Sequence, residues 1–126
     1  MPFKKILLID DDTDDTLIFM EALQELDKDV ECHTALNPLK AFQELASAED
    51  LPDLIFLDYN MPLVNGLEFI QRMQGVERLK KIEVIVISTP PEDVMVQWFA
   101  RNNTPVRYIS KPNTIRELKE ILKKLL

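Results

Sequence analysis

Only two glycines, Gly66 and Gly75, occur in the 126 residues. That scarcity excludes a glycine-rich loop of the kind that cradles nucleotide phosphates with backbone N–H groups. The single cysteine, Cys32, cannot form an internal disulfide and reads as a small core side chain in an apolar-flanked stretch. The single histidine, His33, excludes a Cys/His zinc cluster and reads as a surface residue on a peripheral strand. No apolar run approaches the length of a bilayer span, and Met1-Pro2-Phe3-Lys4-Lys5 lacks the apolar segment and cleavage site of a secretion signal. A cytoplasmic location is therefore expected, with no membrane partner. Positive charge is also short: 15 basic against 22 acidic residues give a net charge of −7. That is the wrong sign for neutralising nucleic-acid phosphates, so no nucleic-acid partner is expected.

What is present is an ordinary globular balance, 46% hydrophobic and 29% charged, in a length that suits one domain, 1–126. Short apolar runs alternate with longer amphipathic segments. Ile6–Ile9, Val30–Ala35, Leu54–Leu57, Val84–Ile87 and Val106–Ile109 read as strands, the first, third and fourth apolar throughout. Such unbroken runs suit strands covered on both faces, as in a parallel sheet. Between them, Thr13 or Asp14 caps a helix bearing Ile18, Ala22 and Leu26, with Phe19 and Leu23 alongside. Asn37-Pro38 opens a second helix with Phe42 and Leu45, and Asn65-Gly66 precedes a third with Leu67, Ile70 and Met73. Thr89-Pro90-Pro91 opens a fourth with Met95, Trp98 and Phe99, where Trp98 is read as buried. Asn113 or Thr114 opens the last, with Ile115, Leu118, Leu122 and Leu125. Five strands alternating with five helices predict an α/β, doubly wound, five-stranded parallel sheet of order 2-1-3-4-5.

In such a sheet the carboxyl ends of the strands share one edge, where ligands bind. The first strand ends in Asp10-Asp11-Asp12, the third in Asp58, the fourth in Ser88-Thr89 and the fifth, after Ser110, in Lys111-Pro112. Carboxylates, a hydroxyl and an ammonium are thus predicted to converge. Clustered carboxylates repel and call for a cation, and a hard oxygen-rich site with few ligands suits Mg2+. A carboxylate nucleophile with positive charge and a hydroxyl around it is a phosphoryl-transfer constellation.

Four segments at these strand ends, Ile6-Leu7-Leu8-Ile9-Asp10-Asp11, Leu57-Asp58-Tyr59-Asn60-Met61-Pro62 with Gly66 following, Val86-Ile87-Ser88-Thr89 and Tyr108-Ile109-Ser110-Lys111-Pro112, carry a resemblance. The chain resembles the receiver domain of two-component response regulators, of the single-domain chemotaxis-regulator kind, over its whole length. The resemblance implies a flavodoxin-like fold with no output domain and no enzymatic activity on other molecules. It implies that Asp58 is the phosphoacceptor, served by the phosphohistidine of a sensor histidine kinase. Asp11, Asp58 and the backbone carbonyl of Asn60 would bind Mg2+, with Asp10 acting through water. Lys111 would pair with Asp58 and then with the phosphoryl group. Ser88, or Thr89 beside it, would reach for a phosphoryl oxygen, and Tyr108 would change rotamer to fill the space. The Lys111-Pro112 bond would be cis. The face of helix four, strand five and helix five would then be read by a downstream protein target or a phosphotransfer protein.

Two stretches depart from the usual pattern: Pro90-Pro91 should stiffen the loop after Ser88 and limit its movement, and Arg101-Asn102-Asn103-Thr104-Pro105 makes the output face unusual in shape. Asp14 and Asp15 read as acids that offset the dipole of the first helix. Two alternatives stand beside the receiver reading. One is a degenerate receiver that acts as a phosphorylation-independent binding module, against which the intact acids, Ser88 and Lys111 weigh. The other is a phosphatase of the haloacid-dehalogenase type, suggested by Asp10-Asp11-Asp12-Thr13. That type needs a further acidic pair beyond the lysine, and Glu117 and Glu120 fall in the wrong place.

Overall fold

The third strand explains the architecture best. In a computed structural model, which describes residues 5–26 and 29–126, every side chain of β3 (Leu54–Leu57) is buried. Only a strand covered by helices on both sides can be so apolar. Around it run β1 (Lys5–Ile9), α1 (Thr13–Gln24), β2 (Glu31–Ala35), α2 (Pro38–Ser47), α3 (Gly66–Gln74), β4 (Glu83–Ser88), α4 (Glu92–Arg101), β5 (Arg107–Ser110) and α5 (Ile115–Leu125). The sheet has the order β2-β1-β3-β4-β5, and all four pairings are parallel. The doubly wound arrangement expected from the alternation is the one observed.

Side-chain alternation along the central strands divides the core in two. Ile55 and Leu57 join Ile9, Val86, Phe69, Met73 and Phe99 on the face covered by α2, α3 and α4. Leu54 and Phe56 join Ile6, Leu8, Ile85, Ile87, Phe19 and Leu118 on the face covered by α1 and α5. Phe19 meets Phe56 edge-on at 5.1 Å between ring centres.

The helix starts follow side-chain capping. Asn37, Asn65 and Thr114 accept from backbone N–H groups of α2, α3 and α5, as their sequences suggest. The first helix differs from expectation. Its cap is Asp12, whose carboxylate accepts from the backbone N–H of Asp14 and Asp15. Its buried face is Thr16, Phe19, Ala22 and Leu23, while Ile18 is exposed. Strand bounds also shift slightly, with β2 starting at Glu31 and β5 at Arg107. Cys32 is only half-buried, because β2 is an edge strand with one neighbour. His33 is exposed beside Glu31, as predicted. Trp98 is 40% exposed rather than buried. The face of α4 that meets the sheet is narrow, and Met95 and Phe99 fill it.

Candidate functional site

Register delivers the site. The N–H of Asp58 donates to the carbonyl of Ile9 at 2.9 Å, and the N–H of Lys111 donates to the carbonyl of Ser88 at 2.7 Å. These bonds extend the ladder by one residue past the strands and bring the carboxyl ends of β1, β3, β4 and β5 level. Asp10 and Asp58 are buried, at 2% and 5% exposure, and Ser88 is buried beside them. Asp11 is exposed at the mouth. One oxygen from each of Asp10, Asp11 and Asp58 lies within 4.8 Å of the others.

The open cleft above them, about 550 Å3, is lined by Asp11, Asp12, Thr13, Asp15, Asp58, Asn60, Ser88, Thr89 and Lys111. Ser88 Oγ donates to Asp58 Oδ1 at 2.8 Å. Thr89, also at the cleft, is exposed, so Ser88 is the hydroxyl aimed at Asp58. Lys111 Nζ lies 3.7 Å from that same Oδ1. Its nearer partners are Asp15 Oδ2 at 2.7 Å and Asp10 Oδ2 at 3.1 Å. The expected pairing of Lys111 with Asp58 is therefore secondary here, and Asp15 does more than offset a helix dipole. Asp10 Oδ1 accepts from the backbone N–H of Asp12 at 2.9 Å, which occupies both of its oxygens.

Burial and charge set the electrostatics. Burial first, then the neighbouring Asp10 charge, pushes the pKa of Asp58 up to about 6, against the pull of Lys111 and Ser88. Burial likewise raises Asp10, opposed by the Asp12 N–H and Lys111. Burial disfavours the Lys111 ammonium, yet Asp15, Asp58 and Asp10 together outweigh it and hold its pKa above the ordinary lysine value. Two buried acids with raised pKa values next to a third carboxylate form a donor set that a hard divalent cation would relieve. The residues present thus fit Mg2+.

The loop after Asp58 is held closely. Gly66 donates its N–H to the carbonyl of Tyr59 at 2.9 Å. A Cβ at Gly66 would meet Tyr59 Cα at 3.1 Å and the Asp58 carbonyl oxygen at 3.3 Å. Between them Leu63 adopts a left-handed backbone with φ 72° and is 77% exposed. The loop after Ser88 is fastened from β5: Tyr108 Oη donates to the Pro90 carbonyl at 2.7 Å, and Ser110 Oγ donates to the same oxygen at 3.0 Å. The Tyr108 ring is buried. The Lys111-Pro112 peptide is trans, contrary to expectation. Trans is the lower-energy isomer even before proline, and the Lys111 N–H bond to Ser88 already delivers the ammonium to the cleft.

Comparison with known proteins decides the family. Residues 6–123 match the model of the response regulator receiver domain. The chain belongs to that family. As a receiver domain it is 32% identical to chemotaxis protein CheY1 of Helicobacter pylori, over 97% of this chain and 96% of that protein. It is 31% identical to a probable transcriptional regulator, ycf29, of Porphyra purpurea, over 96% of this chain. It spans 56% of the ycf29 regulator's length, and 23% of that of a protein-glutamate methylesterase of Burkholderia thailandensis. The fold superimposes on the phosphorylated cyanobacterial phytochrome response regulator RcpA with a TM-score of 0.82 and 29% identity, covering 98% and 91% of the two chains. The receiver is therefore a two-component signalling domain of the CheY-like kind. Among its described residues, no helix is long and apolar enough to cross a membrane. Glu117 and Glu120, the acids the phosphatase alternative would have needed, are exposed on α5 and do not line the cleft.

Proposed function

We propose that this receiver accepts a phosphoryl group on Asp58 from the phosphohistidine of a sensor histidine kinase and presents the result to a protein partner. The observation that carries this reading is the convergence on Asp58. Ser88 and Lys111 address its Oδ1, and Asp10 and Asp11 lie within 4.8 Å. Oδ2 of Asp58 accepts no hydrogen bond among the described residues and is the oxygen assigned to attack. In the step, a carboxylate oxygen forms a bond to phosphorus, the P–N bond of the phosphohistidine breaks, and the imidazole leaves with that electron pair.

Mg2+, held by Asp11, Asp58 and the Asn60 carbonyl with Asp10 acting through water, would offset the repulsion among the carboxylates and between them and the phosphoryl oxygens. The remaining work falls to the chain itself. Ser88 donates to a phosphoryl oxygen, Lys111 supplies the balancing charge, and the packed β-sheet keeps Asp58 in place. The acyl phosphate is a dianion where a single carboxylate stood, so it strengthens the hold on Ser88 and Lys111. Ser88 couples to the loop at Pro90, and through it to Tyr108 on β5. The α4-β5-α5 face, with Val94, Val96 and Trp98 exposed on α4, is where a downstream target or phosphotransfer protein is assigned to bind. This activity is placed in the cytoplasm, with no nucleic acid, no membrane and no catalysis on other substrates, and with residues 1–126 acting as one receiver unit.

Mass spectrometry after incubation with acetyl phosphate and Mg2+ tests the reading. One added phosphoryl group that requires Mg2+ and vanishes in Asp58→Asn is the expected result. An unmodified wild-type protein would overturn it in favour of a binding module.

A further inference from the structure

Asp15 lies outside the set of residues for which the receiver pattern supplies a role, yet it makes the shortest of the three contacts to Lys111. The distances from Nζ are 2.7 Å to Asp15 Oδ2, 3.1 Å to Asp10 Oδ2 and 3.7 Å to Asp58 Oδ1. The contact is built rather than incidental. Asp12 caps α1 by accepting from the backbone N–H of Asp14 at 2.9 Å and of Asp15 at 3.2 Å, which fixes the first turn. Burial of Phe19, Ala22 and Leu23 then sets the rotation of the helix, turning Asp15 into the cleft and leaving Asp14 exposed. The Lys111 side chain is only 20% exposed and the Asp15 side chain 38%, so the pair is partly shielded from water.

A lysine held this way is less available to an incoming anion. Its charge is shared with two resident carboxylates, and both of them lie nearer to its Nζ than Asp58 does. A phosphoryl group arriving at Asp58 brings negative charge that must either draw Lys111 across or be stabilised while Asp15 still holds it. Either course costs free energy that a neutral side chain at position 15 would not impose.

We propose that Asp15 is a positioning residue that restrains Lys111 and thereby slows the loading of phosphoryl groups onto Asp58. The inference rests on the reading of Asp58 as phosphoacceptor. It adds a brake that is specific to an acid in the first turn of α1.

The test compares Asp15→Asn, Asp15→Glu and Asp14→Asn with wild type, after circular dichroism has established that each is folded. Asp14→Asn removes the same formal charge from the same helical turn without touching Lys111. The first readout is the initial rate of Mg2+-dependent phosphorylation by acetyl phosphate. Asp15→Asn is expected to be about three- to tenfold faster and Asp14→Asn within about twofold of wild type, the size expected for one charge acting through a few ångströms of partly screened space. Asp15→Glu, which keeps the carboxylate, is expected to return toward the wild-type rate. The second readout needs neither metal nor donor: the Lys111 side-chain nitrogen resonance should move in Asp15→Asn and stay in place in Asp14→Asn. Wild-type phosphorylation with Asp15→Asn no faster than Asp14→Asn, or slower than wild type, would overturn the brake while leaving the phosphoacceptor reading intact. A wild type that takes up no phosphoryl group would overturn both.

Discussion

Ser88 Oγ donates to Asp58 Oδ1 at 2.8 Å, joining the ends of two adjacent strands across thirty residues of sequence. Because both groups are buried, the bond does electrostatic work, favouring the ionised carboxylate against the burial that disfavours it. Ser88→Ala is therefore expected to raise the Asp58 pKa above its value of about 6. It should also slow phosphorylation by about ten- to a hundredfold, as for the loss of one charge-stabilising donor. Ser88→Thr, which keeps the hydroxyl, should retain most of the rate. Carboxyl-carbon NMR titration and timed mass spectrometry check the two effects separately.

Stability without divalent cations should fall as pH rises. The ordinary Asp58 pKa is 3.8 and the folded-state value is about 6, so the native state binds more protons than the unfolded chain between those limits. Stability is then greatest below about pH 4 as far as this group is concerned, and is lost as pH climbs to about 6, by on the order of 3 kcal/mol. Asp10, raised for the same first reason, adds in the same direction. Asp58→Asn should remove most of the slope and be more stable than wild type at pH 7. Urea unfolding from pH 4 to 7 in EDTA measures it. Adding Mg2+ should stabilise wild type and leave Asp58→Asn nearly unmoved.

Two substitutions in the loop after Asp58 should have opposite signs. Gly66→Ala places a methyl 3.1 Å from Tyr59 Cα and 3.3 Å from the Asp58 carbonyl oxygen, both backbone atoms that cannot swing away. It is expected to cost about 1–3 kcal/mol, as overpacking does, and to slow phosphorylation by shifting Asp58. Leu63→Asn relieves a left-handed backbone at φ 72° and removes an apolar side chain that is 77% exposed. It should stabilise by about 0.5–1 kcal/mol. Urea midpoints for the pair decide both.

Neighbouring aromatics on α4 should also separate. Phe99 is fully buried and meets Tyr59 edge-on at 5.7 Å, so Phe99→Ala is expected to cost about 3–5 kcal/mol. Trp98→Ala should cost less than about 1 kcal/mol, because the indole is 40% exposed and lies outside the packed stripe of Met95 and Phe99. Acrylamide should quench the fluorescence of this single tryptophan readily.

Strand identity was legible because Leu54–Leu57 and Val84–Ile87 are apolar on both sides of the chain, which only a doubly covered sheet tolerates. The convergence of Asp10, Asp11, Asp58, Ser88 and Lys111 followed from one rule about strand ends. Asp15 was not legible, for a geometric reason. Each residue turns a helix by about 100°, so whether a first-turn acid points at solvent or into the cleft depends on which residues pack. Phe19, Ala22 and Leu23 are inside as expected, but including Ile18 and leaving out Thr16 blurred the rotation that aims Asp15. Trp98 was misread because size and hydrophobicity favour burial, while the width of the groove under α4 is set by elements distant in sequence. The trans bond at Lys111-Pro112 depends on the path of the chain from β5 to α5, to which no local pattern points.

The carbonyl of Pro90 receives both Tyr108 Oη and Ser110 Oγ. A peptide oxygen is present whatever side chain occupies the position, so the clasp on this loop is indifferent to the identity of residue 90. The loop can drift in sequence, even to consecutive prolines, without losing its tie to β5. The inheritance of the linkage lies instead with the hydroxyls at 108 and 110, and lineages that vary the loop freely should still carry a donor at one or both of those positions.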